Sequence, residues 1–464
     1  MSEKKTRRLF GTDGVRGVAN RDITPEIALA IGRAAVRVFG SRRVLIGRDT
    51  RRSGPLLETA LAAGVCAQGS DAVLLGVVPT PAVAFGSDRD QVVGVVISAS
   101  HNPFQDNGIK LFAPGGRKLT DDEQAGVEAV IAAVLDVGGL DVGGRDVGAL
   151  HAGAQDSPIA GAVGTTTTDP TVLDAYAESV AGATEGRRLD GLHVVVDCAN
   201  GSNSVVAAQV LTGLGARVDV LSDRPDGVNI NDACGSTHPQ ALQAAVVAAG
   251  ADVGIAFDGD ADRMLAVDGA GELVDGDQII ALCAADLRDR GRLVADTVVV
   301  TVMSNLGFRQ AMTREGITVV ETKVGDRYVL EAMAEGGYSL GGEQSGHIIF
   351  GELGTTGDGL LSAVVLLDLV KRSGRTLAEL TGTSMTRLPQ VLINVQVRQP
   401  MPDIAERLAE STARVAAELG DRGRVLLRPS GTEPVVRVMA EAPTHAEADD
   451  AARRLADAVQ ALAT

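Results

Sequence analysis

Three aspartates alternate in the stretch GIAFDGDADRMLAVD, at Asp258, Asp260 and Asp262. In an extended segment residues two apart point the same way, so the three carboxylates can converge on one hard cation. Without a cation they repel one another, and one is driven toward protonation. A calcium EF-hand is excluded: its loop needs glycine at the sixth position and glutamate at the twelfth, where this chain has Arg263 and Gly269. The pattern favours Mg²⁺, which takes few protein carboxylates and leaves positions open for a phosphate oxygen. A second candidate is SASHNPFQDNGIKLF, where an apolar run from Val92 to Ile97 delivers Ser98, Ala99, Ser100 and His101 into a turn closed by Asn102-Pro103. Ser100 there reads as a nucleophile or a phosphoserine at the carboxyl end of a strand, where open α/β sheets place their ligands. Taken alone, the same residues read equally as a polar turn in which His101 caps a backbone carbonyl. Lys110, in the same loop system, would do base duty if its pKa were depressed.

Two further loops carry recognition chemistry. In KVGDRYVLEAM, Lys323 and Arg327 flank a Gly-Asp turn, and in GGEQSGHIIF, Glu343, Gln344, Ser345 and His347 lie in a loop bracketed by glycines. Acceptors and donors at this spacing suit adjacent sugar hydroxyls, although either segment by itself is an ordinary hairpin loop. In RVLLRPSGTEPVVRVMAEA, the hydroxyls of Ser430 and Thr432, the backbone around Gly431 and the guanidinium groups of Arg428 and Arg437 make a nest for a dianion. The formal charge of −17 argues against a nucleic-acid or anionic-membrane partner. Yet Arg16, Lys110, Arg263, Lys323, Arg327, Arg428 and Arg437 all lie in or beside these loops. A cationic cleft in an acidic protein draws in a small phosphorylated molecule and turns away large polyanions.

The elements that must hold these loops are legible too. Short β-branched runs, RVLIG at 43–47, VVGVVIS at 92–98, LHVVVDC at 192–198 and VVVTV at 298–302, alternate with helical patterns, which is α/β layering. Helix starts are marked by Thr24-Pro25 and by two capping-box patterns, Thr120 to Glu123 and Thr237 to Gln240. A chain of 464 residues implies several domains. Residues 135–170 are rich in Gly, Ala and Thr and read as a surface insertion or linker. Beyond Arg375 the order becomes strand, helix, strand, loop, strand, helix, an α+β module. The four cysteines show no C-x-x-C pairing, and no apolar run reaches eighteen residues, so a soluble, cytoplasmic protein with reduced thiols is expected.

Together GTDGVRG at 11–17, SASHNP at 98–103, DGDADR at 258–263, GGEQSGH at 341–347 and RPSGTEP at 428–434 resemble the α-D-phosphohexomutase family, in order and spacing from Phe10 onward. The resemblance implies three related α/β domains with mixed sheets, at 1–160, 170–270 and 271–380, and a C-terminal α+β domain at 388–464, around a central cleft. It implies that Ser100 carries a phosphoryl group and, with Asp258, Asp260 and Asp262, binds Mg²⁺. Arg16, Lys110, His101 and Arg263 would act at the phosphoserine, with Lys110 as general base. Lys323, Arg327, Glu343, Ser345 and His347 would read the sugar, while Arg428, Ser430, Gly431, Thr432 and Arg437 would hold its second phosphate. Within the family, NPFQDNGIKLF, GVNINDACGSTHP and KVGDRYVLE are most similar to the branch acting on amino sugars. That implies a hexosamine phosphate as substrate, glucosamine or glucose 1,6-bisphosphate as an activator, and a homodimer as an assembly open to the chain. One departure is Ala261, where many members have glycine; a left-handed alanine costs some energy, and metal binding is expected to survive it. The rival readings are a mutase for glucose or mannose phosphates and a metal-dependent sugar-phosphate sensor without turnover.

Overall fold

The computed structural model describes residues 11, 14–136, 158–429 and 434–463. Two compact units emerge, one formed by residues up to 302 together with 320–381, the other by 303–319 together with 382–464.

The first unit repeats one sheet topology. Its first sheet runs, from one side, Val15–Val18, Asp106–Ala113, Val93–Ile97, Arg43–Arg48, Asp71–Val77 and Thr166–Thr168, with Arg117–Lys118 pairing onto Asp106–Ala113. Arg43–Arg48 is parallel to both neighbours, and Val93–Ile97 is antiparallel to Asp106–Ala113. The second sheet places Arg217–Leu221, His193–Asp197 and Val253–Phe257 in parallel, then Met264–Asp268 antiparallel, then Leu273–Val274. The third orders Thr318–Thr322, Thr297–Thr301, Leu340–Gly342 and Ile348–Phe350, the last pair again antiparallel. In each sheet four successive strands take the spatial order second, first, third, fourth, and the fourth runs antiparallel to the third. The turn between third and fourth strands therefore recurs at one place in three frameworks. It carries SASHNP, DGDADR and GEQSGH in turn.

The apolar runs form these strands because both faces are covered: every residue of Val93–Ile97, Val253–Phe257 and Thr297–Thr301 is buried. On the first sheet, helices Pro25–Phe39 and Gly54–Cys66 approach through Gly32 and Gly64, where an added Cβ would lie 2.2 Å from the Leu61 carbonyl oxygen and 2.1 Å from that of Leu29. Thr24 caps the first of these helices by accepting from Ile27 N–H, and Thr120 with Glu123 closes the expected capping box. The second box is absent. The helix Gln240–Ala249 begins behind Pro239 with no side-chain cap, so Thr237 lies too far upstream to serve its first turn. The low-complexity stretch is corrected in part as well. Thr166–Thr168 joins the first sheet beside Asp71–Val77 as an exposed edge strand, which needs only backbone ladder bonds; residues 137–157 lie outside the described residues.

The second unit is the expected α+β module: an antiparallel sheet ordered Gln390–Gln396, Val435–Glu441, Arg424–Pro429, with helices Ala409–Leu419 and His445–Ala463. Its hub is Glu441, whose carboxylate is wholly buried. It accepts from Arg424 Nε at 2.6 Å, Gln390 Nε2 at 2.7 Å and the backbone N–H of Leu306 at 2.8 Å. The last bond stops the N-terminus of helix Leu306–Arg314, which Asn305 also caps through Gly307 N–H. Among the described residues no helix is long and apolar enough to cross a membrane.

Candidate active site

The DGDADR turn folds tightly between two buried strands. Ala261 N–H donates to the Asp258 carbonyl, and Gly359 N–H donates to that of Ala261. Ala261 is left-handed, with φ 62°, so the cost foreseen for alanine is present. The ligand oxygens of Asp258, Asp260 and Asp262 lie within 4.8 Å of one another and all three residues are buried. Oδ1 of both Asp260 and Asp262 is buried without a hydrogen-bond partner. Burial, then the neighbouring charges of Asp262 and Asp260, push the Asp258 carboxyl up to about 8. Two orphaned anionic oxygens and a carboxyl forced to keep its proton are what one small divalent cation would relieve, so these residues fit such an ion.

Ser100 faces this turn. Its Oγ donates to Asp258 Oδ2 at 2.5 Å and lies 3.3 Å from His101 Nδ1. Its backbone is left-handed, φ 51°, and the residue is buried. Asn231, which contacts it, and Ala261, in the facing turn, are left-handed as well. Such strain concentrates where a surrounding framework dictates the conformation. At Gly259 an added Cβ would come within 2.7 Å of the Ser100 carbonyl oxygen, so the two turns can meet only because this position is glycine.

Lys110 reaches across from strand Asp106–Ala113 and donates to Asp260 Oδ2 at 2.7 Å and Asp262 Oδ2 at 3.2 Å. Burial alone would lower its pKa, but the two carboxylates outweigh burial and raise it above the usual lysine value. In the cation-free protein the expected depression is not found: with Asp260 and Asp262 as its partners, Lys110 stands as an ammonium. His101 goes the other way. Burial, followed by the charges of Arg263 and Arg16, lowers it to about 4, so the imidazole is neutral near pH 7. Arg263 itself lies 3.8 Å from Asp262 Oδ1.

In the third loop, two of the expected residues have partners within the protein. Arg327 pairs with Glu331 at 2.7 Å and Asp121 at 2.9 Å, so its guanidinium joins two elements of the fold where sugar binding had been expected. His347 is buried; its Nε2 accepts from Gly357 N–H at 3.1 Å, and its ring lies between Asp262 and Asp326. It supports the turn from behind, because the apolar strand Ile348–Phe350 draws it inward. Glu343 accepts from Gly325 N–H at 3.2 Å, linking its loop to the KVGDR turn, while Ser345 and Lys323 are exposed and Lys323 lies 6.0 Å from the Tyr328 ring centre. In the second unit Arg428 and Arg437 are opposed across paired strands, and burial followed by the Arg437 charge lowers Arg428. Ser430, Gly431 and Thr432 lie outside the described residues.

Several contributors had no local signature. Thr80, opening helix Thr80–Asp90, donates to Asp260 Oδ2 at 2.8 Å through Oγ1. Behind Ser100, the wholly buried Arg51 pairs with Asp49 at 2.8 Å and donates to the carbonyls of Ser100, Asn102 and Pro103 at 2.9, 2.9 and 2.5 Å. Asn231 Nδ2 donates to the first two of these carbonyls at 2.9 and 3.0 Å. The one signal available for Arg51 was its place in RDTRRSG directly after a strand.

Four family models match the chain: phosphoglucomutase/phosphomannomutase alpha/beta/alpha domains I, II and III at residues 7–136, 174–271 and 275–388, and the C-terminal domain at 392–458. The chain is 54% identical over 467 residues to a phosphoglucosamine mutase of Frankia casuarinae and 50% identical over 461 residues to one of Symbiobacterium thermophilum, spanning at least 98% of each sequence. Among solved structures it is similar to a phosphoglucomutase/phosphomannomutase family protein of Burkholderia thailandensis, with TM-score 0.78, 26% identity and 98% and 97% of the two chains covered. It also shares the fold of Aspergillus fumigatus N-acetylphosphoglucosamine mutase in complex with GlcNAc-6P and magnesium, with TM-score 0.70, 21% identity and coverage of 100% and 97%.

Proposed function

The chain belongs to the phosphoglucomutase/phosphomannomutase family of phosphohexomutases, and on that premise we propose that it interconverts α-D-glucosamine 6-phosphate and α-D-glucosamine 1-phosphate, with Ser100 as the phosphoryl carrier. The observation that carries the reading is the meeting of Ser100 Oγ with the Asp258 carboxylate at 2.5 Å, at the edge of three buried aspartates. The choice of amino sugar rests on the full-length likeness to phosphoglucosamine mutases.

In the forward direction the phosphorus–oxygen bond to Ser100 breaks as a bond to the free sugar hydroxyl oxygen forms, and the proton lost by that hydroxyl ends on the freed Ser100 Oγ, the hydroxyl that donates to Asp258 Oδ2 in the unphosphorylated chain; the return transfer reverses this exchange. The resulting 1,6-bisphosphate turns in the site and returns its other phosphoryl group to Ser100. Asp258, Asp260 and Asp262, with the phosphoserine, would hold Mg²⁺, which when bound supplies positive charge at the transferring group. Lys110 adds an ammonium at the same turn, and burial, followed by the charges of Arg263 and Arg16, keeps His101 neutral beside Oγ. Glu343 and Ser345, in the corresponding turn of the third sheet, are the residues assigned to the sugar hydroxyls. Arg428, Ser430, Gly431, Thr432 and Arg437 are assigned to the phosphate that is not reacting. The work is mainly positioning and electrostatics, as phosphoryl transfer requires. A cytoplasmic setting suits the four free cysteines.

A coupled assay comparing kcat/KM on glucosamine, glucose and mannose 6-phosphates tests the substrate. Intact-mass spectrometry tests the carrier: a phosphoryl group on the Ser100 peptide that substrate removes is expected. Preference for glucose or mannose 6-phosphate would move the chain to another branch of the family, and an unphosphorylated chain that binds without turnover would make it a sensor.

A further inference from the structure

We propose that Arg51, with Asn231, is a positioning residue for Ser100 that acts on the backbone alone and so holds the carrier identically with and without its phosphoryl group. This rests on the assignment of Ser100 as carrier. A group that must both give and accept a phosphoryl unit has to present Oγ at one place in two chemical states that differ by a dianion. Side chains that touch Oγ respond to that change. The Arg51 guanidinium does not touch it.

Its geometry suits the task. Three carbonyls of the turn, at residues 100, 102 and 103, converge on one planar fork, and the fourth N–H direction is taken by Asp49 Oδ2. Asp49 also accepts from Ser98 Oγ at 2.6 Å, and Ser98 Oγ accepts from Ser100 N–H at 2.9 Å. The carbonyl and the N–H of Ser100 are thus both tied, directly or through Ser98, to one buried ion pair. This fixes φ and ψ at a residue whose left-handed conformation is otherwise disfavoured. Asn231, from the segment between strands Arg217–Leu221 and Val253–Phe257, completes the grip from the second sheet's side. Peptide planarity then sends the N–H ends of the same peptide units away from the guanidinium. A buried arginine is justified here by four satisfied donor contacts, which a lysine of one ammonium cannot reproduce on a planar array.

The test uses the full chain with Mg²⁺ and two variants. Arg51→Lys keeps a buried cation beside Asp49 but loses the fork; Asn231→Gly keeps the left-handed backbone and deletes the amide. With melting temperatures close to wild type, kcat should fall about 100-fold and about 10-fold respectively, with KM within about threefold, since displacement of a reacting group by about 1 Å costs rate and not binding. The ³¹P resonance of the phosphoserine should be single and sharp in wild type and shifted or broadened in both variants, a change that a loss of stability alone does not produce. If Arg51→Lys fails to fold, Asn231→Gly carries the test. Folded variants with kcat within threefold of wild type and an unaltered resonance overturn the role of Arg51. A wild-type chain that never acquires the phosphoryl group on Ser100 overturns the carrier assignment, and the positioning role with it.

Discussion

Adding Mg²⁺ to the chain with unphosphorylated Ser100 should release a proton. Asp258 is raised to about 8 by burial and by Asp262 and Asp260, so near pH 7 its carboxyl is protonated in the cation-free protein. A carboxylate ligand must be ionised, and the ion therefore competes with that proton. With its carboxyl raised above the usual range, Asp258 is mostly protonated at pH 7, so the larger part of one proton should be released per ion. The sign follows from the raised value: apparent affinity climbs with pH below about 8, about tenfold or 1.4 kcal/mol per unit, and levels off above it. Calorimetric titration in two buffers of different ionisation enthalpy counts the protons, and a series from pH 6 to 10 traces the affinity. Asp258→Asn should abolish the release. Fewer than about 0.2 proton per ion at pH 7, or an affinity that does not change between pH 6 and 7, would refute the description of Asp258 as the carboxyl that gives way.

Ser100→Ala should remove turnover, by about 1000-fold or more, with an unchanged circular dichroism spectrum and no phosphorylated peptide by mass spectrometry. Appreciable turnover in that variant rules the serine out. His101, lowered by burial and by Arg263 and Arg16, should titrate by NMR with a midpoint near 4, and its folded form resists protonation, so its contribution to stability is lost as pH falls from about 6.5 toward 4. A midpoint near 6.5 would contradict the packing described for the Ser100 turn. Ala261→Gly relieves a left-handed alanine worth about 1–2 kcal/mol but loosens the unfolded chain and deletes a buried methyl, so the net change in stability should be under about 1 kcal/mol. Mg²⁺ affinity should stay within twofold, as measured by the same calorimetry.

What could be read along the chain was what depends on near neighbours. The runs at 43–47, 92–98, 192–198 and 298–302 became strands because a continuous β-branched segment has few other ways to be buried on both faces. Ser100 and the three aspartates were legible because turns at the ends of such strands expose whatever polar residues they carry. The behaviour of Lys110 was not, since Asp260 and Asp262 lie 150 and 152 residues away and only the fold brings them to its ammonium. The same is true of Thr80 at Asp260, across 180 residues, and of Asn231 at Ser100, across 131. The partners of Arg327 and His347 were out of reach for a related reason: Asp121 and Asp262 lie far away in sequence, and only the fold brings them to these side chains.

The Glu441 hub bears on how the chain can be divided. By family match, helix Leu306–Arg314 falls within the third domain, at 275–388, yet its first turn is stopped by a carboxylate from the C-terminal sheet. Its other end is tied to the same unit, with Arg314 donating to the Ser384 carbonyl at 2.7 Å. A chain ended after Thr381 would keep this helix and its Asn305 cap but lose both of these anchors, exposing the Leu306 N–H that Glu441 now holds and the Asn305 amide that now donates to the Leu388 carbonyl. The clean seam for separating the C-terminal module therefore does not follow the order of the sequence. It would have to take residues 303–319 along with 382–464, joined by a new linker.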